Sequence, residues 1–156
     1  MDREMLHKLI GTWEGSGSGQ FPTINDFHYR EVLEISGDYD GALLHYNQRT
    51  WRLTDDGEAE SHVETGFIGL TDDGTVEITS SQALDRVEVL RGKLSSTADG
   101  FSIDVESVSI AHDPRMIRSW RSIVLGAERL SYTMGMATTA VPEGGSHLTA
   151  ELRRAT

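Results

Sequence analysis

Hydrophobic and polar positions alternate with a period of two along most of the chain, which is the pattern of half-buried β-strands. The alternation is clear from residue 27, where polar side chains lie between the apolar residues Phe27, Tyr29, Leu33 and Ile35. Asp-Gly turns separate several of these segments, and Asp-Gly between alternating segments predicts a hairpin. Besides a first strand beginning at residue 11 and a turn at 37–41, the pattern predicts strands at residues 27–35, 42–53, 59–70, 76–80, 86–94, 101–110, 116–125, 130–139 and 147–153.

The first predicted strand carries glycine at every second position from 15 to 19. Because side chains alternate across a strand, these glycines share one face, and Trp13 begins that face. A face without side chains lets another chain segment or a ligand approach the backbone closely, and it permits sharp coiling. We expect Trp13 to close one end of the core, and we expect Pro22, which has no N–H, to end the strand.

Two other interpretations of the glycine run fit the residues less well. A flexible glycine–serine linker would not carry Trp13, Phe21 and Ile24. The dinucleotide-binding fingerprint G-x-G-x-x-G would have Gln20 in place of its third glycine, and Pro22 follows where a helix should begin. A first strand with a glycine face is therefore the prediction that we retain.

Ten predicted strands with short connections and almost no helical pattern indicate an all-β protein. Consecutive strands joined by tight turns form an up-and-down meander, and closing the sheet removes its unpaired edges. We predict a single domain over residues 1–156: an antiparallel up-and-down β-barrel of about ten strands, with a short N-terminal helical turn that begins near Asp2. Barrels of eight or more strands can hold one small ligand.

Composition and charge limit the classes of partner. The chain has 25 acidic and 14 basic residues and a formal net charge of -11, which disfavours nucleic acid and anionic membranes as partners. The sequence contains no cysteine, which excludes disulfides, thiolate nucleophiles and cysteine-based metal sites. Residues 1–9 are charged, and no apolar run approaches the roughly 20 residues of a membrane helix, so we expect a soluble, cytoplasmic protein.

Histidine is the obvious ligand for a transition metal or heme iron in a chain without cysteine. Of the six histidines, His45 is ambiguous, and three that lie among charged or turn residues are expected on the surface: His7, His28 and His112. His62 and Glu64 share one face of a predicted strand. Their spacing fits either a metal or acid–base pair or a solvated polar pair.

His147 begins the last predicted strand, directly after two glycines and a serine. Strict alternation would place it opposite Leu148, so spacing alone leaves open which of the two faces inward. Met134 and Met136 alternate nearby and fit either a cavity wall or core filler. Neither a nucleophile elbow nor a phosphate-binding loop occurs in the sequence.

An ordered series of sequence blocks extends the glycine motif over almost the whole chain. The motif G-x-W-x-G-x-G-x-G-x-x-P at residues 11–22 is followed by YNQRTW at 46–51, HVETGF at 62–67 and HLTAELRR at 147–154. This series resembles the nitrobindins, which are heme-binding relatives of the fatty-acid-binding barrels. The resemblance implies a ten-stranded barrel that carries one ferric heme b at one mouth.

The resemblance also assigns roles to individual residues. It implies that His147 is the axial ligand of the ferric iron and the catalytic residue. The positions that it places in the heme pocket are Thr23, His62, Gln82 and Met136. The arginines that it suggests as partners of the heme propionates are Arg115 and Arg121.

The function implied by the resemblance is heme-dependent binding of nitric oxide and isomerisation of peroxynitrite to nitrate. A metal-free carrier of a small apolar ligand, similar to the fatty-acid-binding proteins, is the alternative. Both hypotheses name a small molecule as the partner and are compatible with a monomer or a homodimer. They differ in one expectation, because only the first requires His147 for ligand binding.

Overall fold

Ten antiparallel strands close into a barrel in a computed structural model that describes residues 2–37, 43–83 and 85–155. Each strand pairs with its neighbours in sequence, and β1 pairs with β10 to close the sheet. A short helix, α1 (Asp2–His7), precedes ten strands: β1 (Gly11–Phe21), β2 (Ile24–Gly37), β3 (Leu43–Thr54), β4 (Gly57–Leu70), β5 (Val76–Gln82), β6 (Arg86–Ser96), β7 (Phe101–Ala111), β8 (Met116–Leu125), β9 (Arg129–Thr138) and β10 (Gly145–Arg154).

The predicted up-and-down barrel and the short N-terminal helix are both confirmed by this topology. The turn predicted at residues 37–41 lies, apart from Gly37, outside the described residues. Over the three described ranges, no helix has the length and apolar character that crossing a membrane would need.

The glycine face of β1 points into the barrel, as predicted. A Cβ atom added at Gly17 would lie 2.5 Å from the ring of Tyr29, and one added at Gly19 would lie 2.1 Å from the ring of Phe27. Both rings belong to β2, in which Tyr29 pairs with Gly17 and Phe27 pairs with Gly19. The missing side chains therefore make room for two aromatic rings that lie across β1.

One end of the barrel is closed by α1 and Trp13, and this end is apolar. Trp13 is fully buried, and its Nε1–H donates to the backbone oxygen of Leu9 at 2.9 Å. Leu6 of α1 and Leu9, which follows the helix, are also buried. The prediction that Trp13 closes one end of the core is confirmed.

The other half of the barrel interior is polar, which the hydrophobic pattern alone did not indicate. Alternation within β2, β4 and β6 turns Glu31, Glu64 and Glu88 inward, and each is at most 2% exposed. In β6 the acidic residue is inside, while Val87 beside it is 41% exposed. Buried carboxylates are stable only when they are paired or hydrogen-bonded, so the partners of these groups define the interior of this half.

Candidate functional site

The polar half of the barrel encloses a cavity of about 260 Å³ that opens at the end away from α1. We call it the upper cavity. Its wall combines aromatic rings and methionine side chains with buried polar groups. Lining residues include Phe27, Tyr29, Gln48, Arg52, His62, Glu64, Gln82, Arg86, Glu88, Trp120, Arg121, Tyr132, Met134, Met136, His147 and Leu148.

His147 enters the wall of the upper cavity through a β-bulge in β10. Ser146 pairs with Gly135 on β9, but Leu148 pairs with Met134, so β10 has one residue more than β9 at this point. Such a bulge changes the direction of a side chain locally. His147 and Leu148 therefore both line the cavity, which resolves the alternative that strict alternation left open.

The backbone fixes the protonation of the His147 ring. Its Nδ1 lies 3.0 Å from the carbonyl oxygen of Gln20 at the end of β1. Because a carbonyl only accepts hydrogen bonds, Nδ1 carries the hydrogen, and Nε2 of the neutral ring keeps its lone pair. Burial lowers the pKa of His147, which favours this neutral form.

Two aromatic rings hold the imidazole from the side. The Phe21 and Phe27 rings each pack on His147 in a T-shaped arrangement, with ring centroids 5.9 and 6.5 Å from that of the imidazole. The glycine face of β1 is what lets Phe27 reach this position, since a Cβ atom at Gly19 would overlap its ring. The first strand thus positions His147 in two ways: the Gln20 carbonyl bonds to its ring, and Gly19 leaves room for the Phe27 ring beside it.

His62 and Glu64 form the contact that their spacing suggested. His62 Nε2 lies 3.4 Å from Glu64 Oε1, and the histidine side chain is 37% exposed while Glu64 is buried. Glu64 Oε2 accepts from the hydroxyl of Tyr46 at 2.6 Å and from Arg121 at 2.7 Å. Burial by itself would raise the pKa of Glu64, but the Arg121 guanidinium and these hydrogen bonds hold that pKa well below its usual range.

Arg121 lies between two buried carboxylates. Its guanidinium is 2.7 Å from Glu64 and 3.1 Å from Glu88, and its side chain is 7% exposed. Glu88 also accepts from Gln82 Nε2 at 3.0 Å and from the hydroxyl of Ser119. Arg121, predicted as a partner of heme propionates, is therefore already paired within the protein.

A second polar cluster surrounds Glu31, which sequence reasoning missed. The carboxylate accepts from the hydroxyl of Tyr132 and from Gln48 Nε2 at 3.1 Å, and the hydroxyl groups of Tyr29 and Tyr132 are 2.7 Å apart. Burial raises the pKa of Glu31 to about 7, although both hydrogen bonds oppose that shift. Its position in the sequence could have indicated burial, because Glu31 lies between Tyr29 and Leu33 on the inward-facing side of β2.

The upper cavity brings together five of the seven predicted site residues: His62, Gln82, Arg121, Met136 and His147. The other two lie outside its wall. Thr23 is exposed in the turn between β1 and β2, next to Ile24, which does line the cavity. Arg115 is 71% exposed and pairs with Asp113 at 3.0 Å.

Two arginines that the sequence did not single out line the open end of the cavity. Arg86 pairs with Asp113 at 2.9 Å, and its side chain is 17% exposed. The guanidinium of Arg52 lies over the ring of Phe27, 4.1 Å from its centroid. Arg52 places positive charge at the mouth, the charge of Arg86 is balanced by Asp113, and Arg121 lies deeper among carboxylates.

Comparison with known proteins places these features in a family. The chain matches the THAP4-like, heme-binding beta-barrel domain over residues 2–154. It is similar to a protein named peroxynitrite isomerase Rv2717c from Arabidopsis thaliana, with 34% identity over 138 residues that cover 88% of this chain and 80% of that protein. It is also similar to a peroxynitrite isomerase from Nocardia farcinica, with 31% identity over 156 residues, 98% of this chain and 90% of the relative.

A solved structure gives the same relationship in three dimensions. The crystal structure of Rv2717c from M. tuberculosis superposes with a TM-score of 0.88 and 28% sequence identity, covering 98% of this chain and 96% of that one. The resemblance to the nitrobindins is confirmed by these matches. Since the domain match extends over nearly the whole sequence, the chain belongs to the family of THAP4-like, heme-binding β-barrel domains.

Proposed function

We propose that this protein binds one ferric heme b in the upper cavity with His147 as the axial ligand, and that it binds nitric oxide and isomerises peroxynitrite to nitrate. The observation that carries the proposal is the His147 ring in the cavity wall, whose Nδ1–H bonds to Gln20 and leaves Nε2 free to bind iron. The family description and the names of the relatives support the same activity.

The residues around His147 fit a heme. A ring nitrogen hydrogen-bonded to a backbone carbonyl is the usual outer contact of a metal-ligating histidine, because it fixes the tautomer and strengthens the ligand. Met134, Met136 and Trp120 offer apolar surface for a macrocycle. The cavity, at about 260 Å³, is small for a ligand pocket, and its open mouth would leave room for a macrocycle larger than the cavity itself.

When bound, ferric heme supplies a Lewis-acidic iron with an open coordination position for a small nitrogen oxide. The protein provides orientation and a suitable electrostatic environment. Peroxynitrite is an anion, and unpaired carboxylates in the wall would repel it. Arg121, which pairs with Glu64 and Glu88, offsets one of their two negative charges, and Glu64 also contacts the His62 ring in the wall.

Arg52 is the better candidate for binding a heme carboxylate. It lines the cavity near its opening, whereas Arg115 lies outside the wall, and both Arg121 and Arg86 are paired with buried carboxylates. A guanidinium can donate two parallel hydrogen bonds to one carboxylate, which gives both affinity and a fixed orientation. We therefore assign a propionate contact to Arg52 instead of the two arginines that the resemblance suggested.

The test is the decay of peroxynitrite, measured by stopped-flow absorbance together with the nitrate yield. Heme-loaded protein is expected to accelerate the decay and to raise the nitrate fraction, whereas heme-free protein and His147→Ala should match buffer. The matched control is His28→Ala, which removes an exposed histidine of β2 and should retain full activity. Equal decay rates for heme-loaded and heme-free protein would contradict the proposed activity.

The same variants distinguish a heme protein from a metal-free carrier. A carrier of apolar ligands would bind a fluorescent fatty acid with an affinity that survives His147→Ala. A heme protein should instead lose heme binding in that variant and keep its fold. Circular dichroism of His147→Ala provides the folding control.

A further inference from the structure

A second, smaller cavity lies inside the barrel on the α1 side of the upper cavity, and we call it the lower cavity. Its volume is about 50 Å³. Its wall is formed mainly by aliphatic side chains that project inward from five strands and from the segment between α1 and β1. These residues are Leu9, Ile35, Ile68, Ile78, Ile123 and Leu130.

A layer of hydrogen-bonded polar side chains separates the two cavities. Gln48, Glu64, Arg121 and Tyr132 contribute to the walls of both. Within this layer Arg121 pairs with Glu64 at 2.7 Å, while Gln48 and Tyr132 donate to Glu31. The lower cavity therefore has a polar ceiling and aliphatic walls.

Water has little to bind in the lower cavity. Across the part of the chain that the structure describes, every buried side-chain nitrogen and oxygen already has a hydrogen-bond partner. An internal water needs two to four polar partners, and an aliphatic wall provides none. Burial also raises the pKa of Glu31 at the ceiling to about 7, which fits a surrounding of low polarity.

We propose that the lower cavity is a binding site for a small, uncharged, apolar molecule: a noble-gas atom or an apolar diatomic gas. A dry cavity of about 150 Å³ that is lined by apolar side chains can bind benzene or xenon. The lower cavity, at about 50 Å³, is much smaller than that example, which limits its guest to a single atom or a diatomic molecule. The site is separate from the proposed axial ligand and propionate contact, because His147 and Arg52 line only the upper cavity, and Met134 is the one proposed heme contact that lines both.

The test uses the heme-free full-length chain with xenon as the probe, followed by methyl NMR spectra at increasing gas pressure. Saturable shifts are expected for the methyl groups of Ile68, Ile78 and Ile123, which line the lower cavity. The methyl groups of Val108 and Ile117 are exposed and should show only weak, non-saturating shifts.

Substitutions locate the site. Ile78→Phe adds volume in the lower cavity and is expected to weaken xenon binding by about tenfold or more. The matched control is Ile103→Phe, which enlarges a fully buried isoleucine outside this cavity and should leave the saturable shifts in place. If Ile78→Phe does not fold, Ile78→Val removes one methylene instead and is expected to raise xenon affinity about twofold.

Several outcomes would overturn the proposal. These are the absence of saturable shifts in the wild type, saturable shifts that persist in folded Ile78→Phe, and an unchanged affinity in Ile78→Val. Cross-relaxation between water and the Ile78 methyl groups would show a hydrated cavity and would also overturn it. Failure of heme binding leaves this experiment unaffected, since no heme is present.

Discussion

Nδ1 of His147 lies 3.0 Å from the backbone carbonyl oxygen of Gln20, which connects the bulge of the last strand to the end of the first. The contact depends on closure of the barrel, because β1 and β10 pair directly and Gly19 lies opposite Leu148. Since the acceptor is a backbone atom, no side-chain substitution removes it. The orientation of the histidine is therefore controlled by the register of these two strands and by the rings beside it.

Gly19→Ala should disturb the site through Phe27. A Cβ atom at this position would lie 2.1 Å from the Phe27 ring, which in turn contacts His147. Because the ring has to move, we expect a loss of about 1–3 kcal/mol in the free energy of unfolding and weaker heme binding. Urea denaturation and heme titration measure the two effects.

The control for this prediction is Gly126→Ala. A Cβ atom there would meet nothing closer than 3.9 Å, so the free energy of unfolding should change by no more than about 0.5 kcal/mol. If the two alanine variants have the same stability, the glycine face of β1 does not make room for Phe27 in the way described.

Arg121→Met should destabilise the fold strongly. The substitution leaves Glu64 and Glu88 buried without the cation that lies 2.7 and 3.1 Å from them. Breaking a buried ion pair in this way costs about 3–5 kcal/mol, because the remaining charge is uncompensated. Urea denaturation at neutral pH measures the loss, and Glu64→Gln in the same background should recover part of it.

An exposed ion pair provides the comparison for Arg121. Arg91 pairs with Glu77 at 2.7 Å, but its side chain is 54% exposed. Arg91→Met should therefore change the free energy of unfolding by less than about 1 kcal/mol. Equal effects of the two arginine substitutions would show that the buried carboxylates do not depend on Arg121.

Glu31 should make stability depend on pH. Burial raises its pKa from the ordinary 4.5 to about 7, so between these values the folded protein binds the proton more tightly than the unfolded chain. The free energy of unfolding therefore contains a contribution that falls as pH rises from about 4.5 to about 7. As pH rises over this range, the free energy of unfolding of Glu31→Gln should increase relative to that of wild type by up to about 3 kcal/mol.

Comparing wild type with Glu31→Gln isolates the contribution of the Glu31 carboxyl group to the pH dependence of stability. Burial lowers the pKa of His147, which makes stability rise with pH through the same region, but this contribution is present in both proteins and cancels in the difference. Denaturation at pH 5, 6, 7 and 8 provides the measurement. Parallel profiles for the two proteins would contradict a Glu31 that titrates near neutrality.

The barrel could be predicted because its strands follow a local rule. Alternation of side chains placed Trp13 and the glycine face of β1 inside, and short turns indicated the meander. The position of His147 could not be predicted in this way, since the bulge adds one residue and changes the phase of β10. A bulge depends on pairing with β9, which no local pattern reports.

The polar interior illustrates a different limit. Glu31 and Glu88 continue the inward phase of their strands, but acidic residues are rarely buried unless they are paired, so a hydrophobic pattern does not select them. Their partners Tyr132 and Arg121 lie on β9 and β8, far away in sequence. The same long-range pairing explains why Arg121 looked available for a heme carboxylate when only the sequence was considered.

The most direct test of His147 as the heme ligand is the absorption spectrum during titration with ferric heme. Wild type and the control His28→Ala should both develop a sharp Soret band with one heme per chain. His147→Ala should show only the broad band of unligated heme, and added imidazole should restore the sharp one. An identical spectrum in all three proteins would contradict ligation by His147.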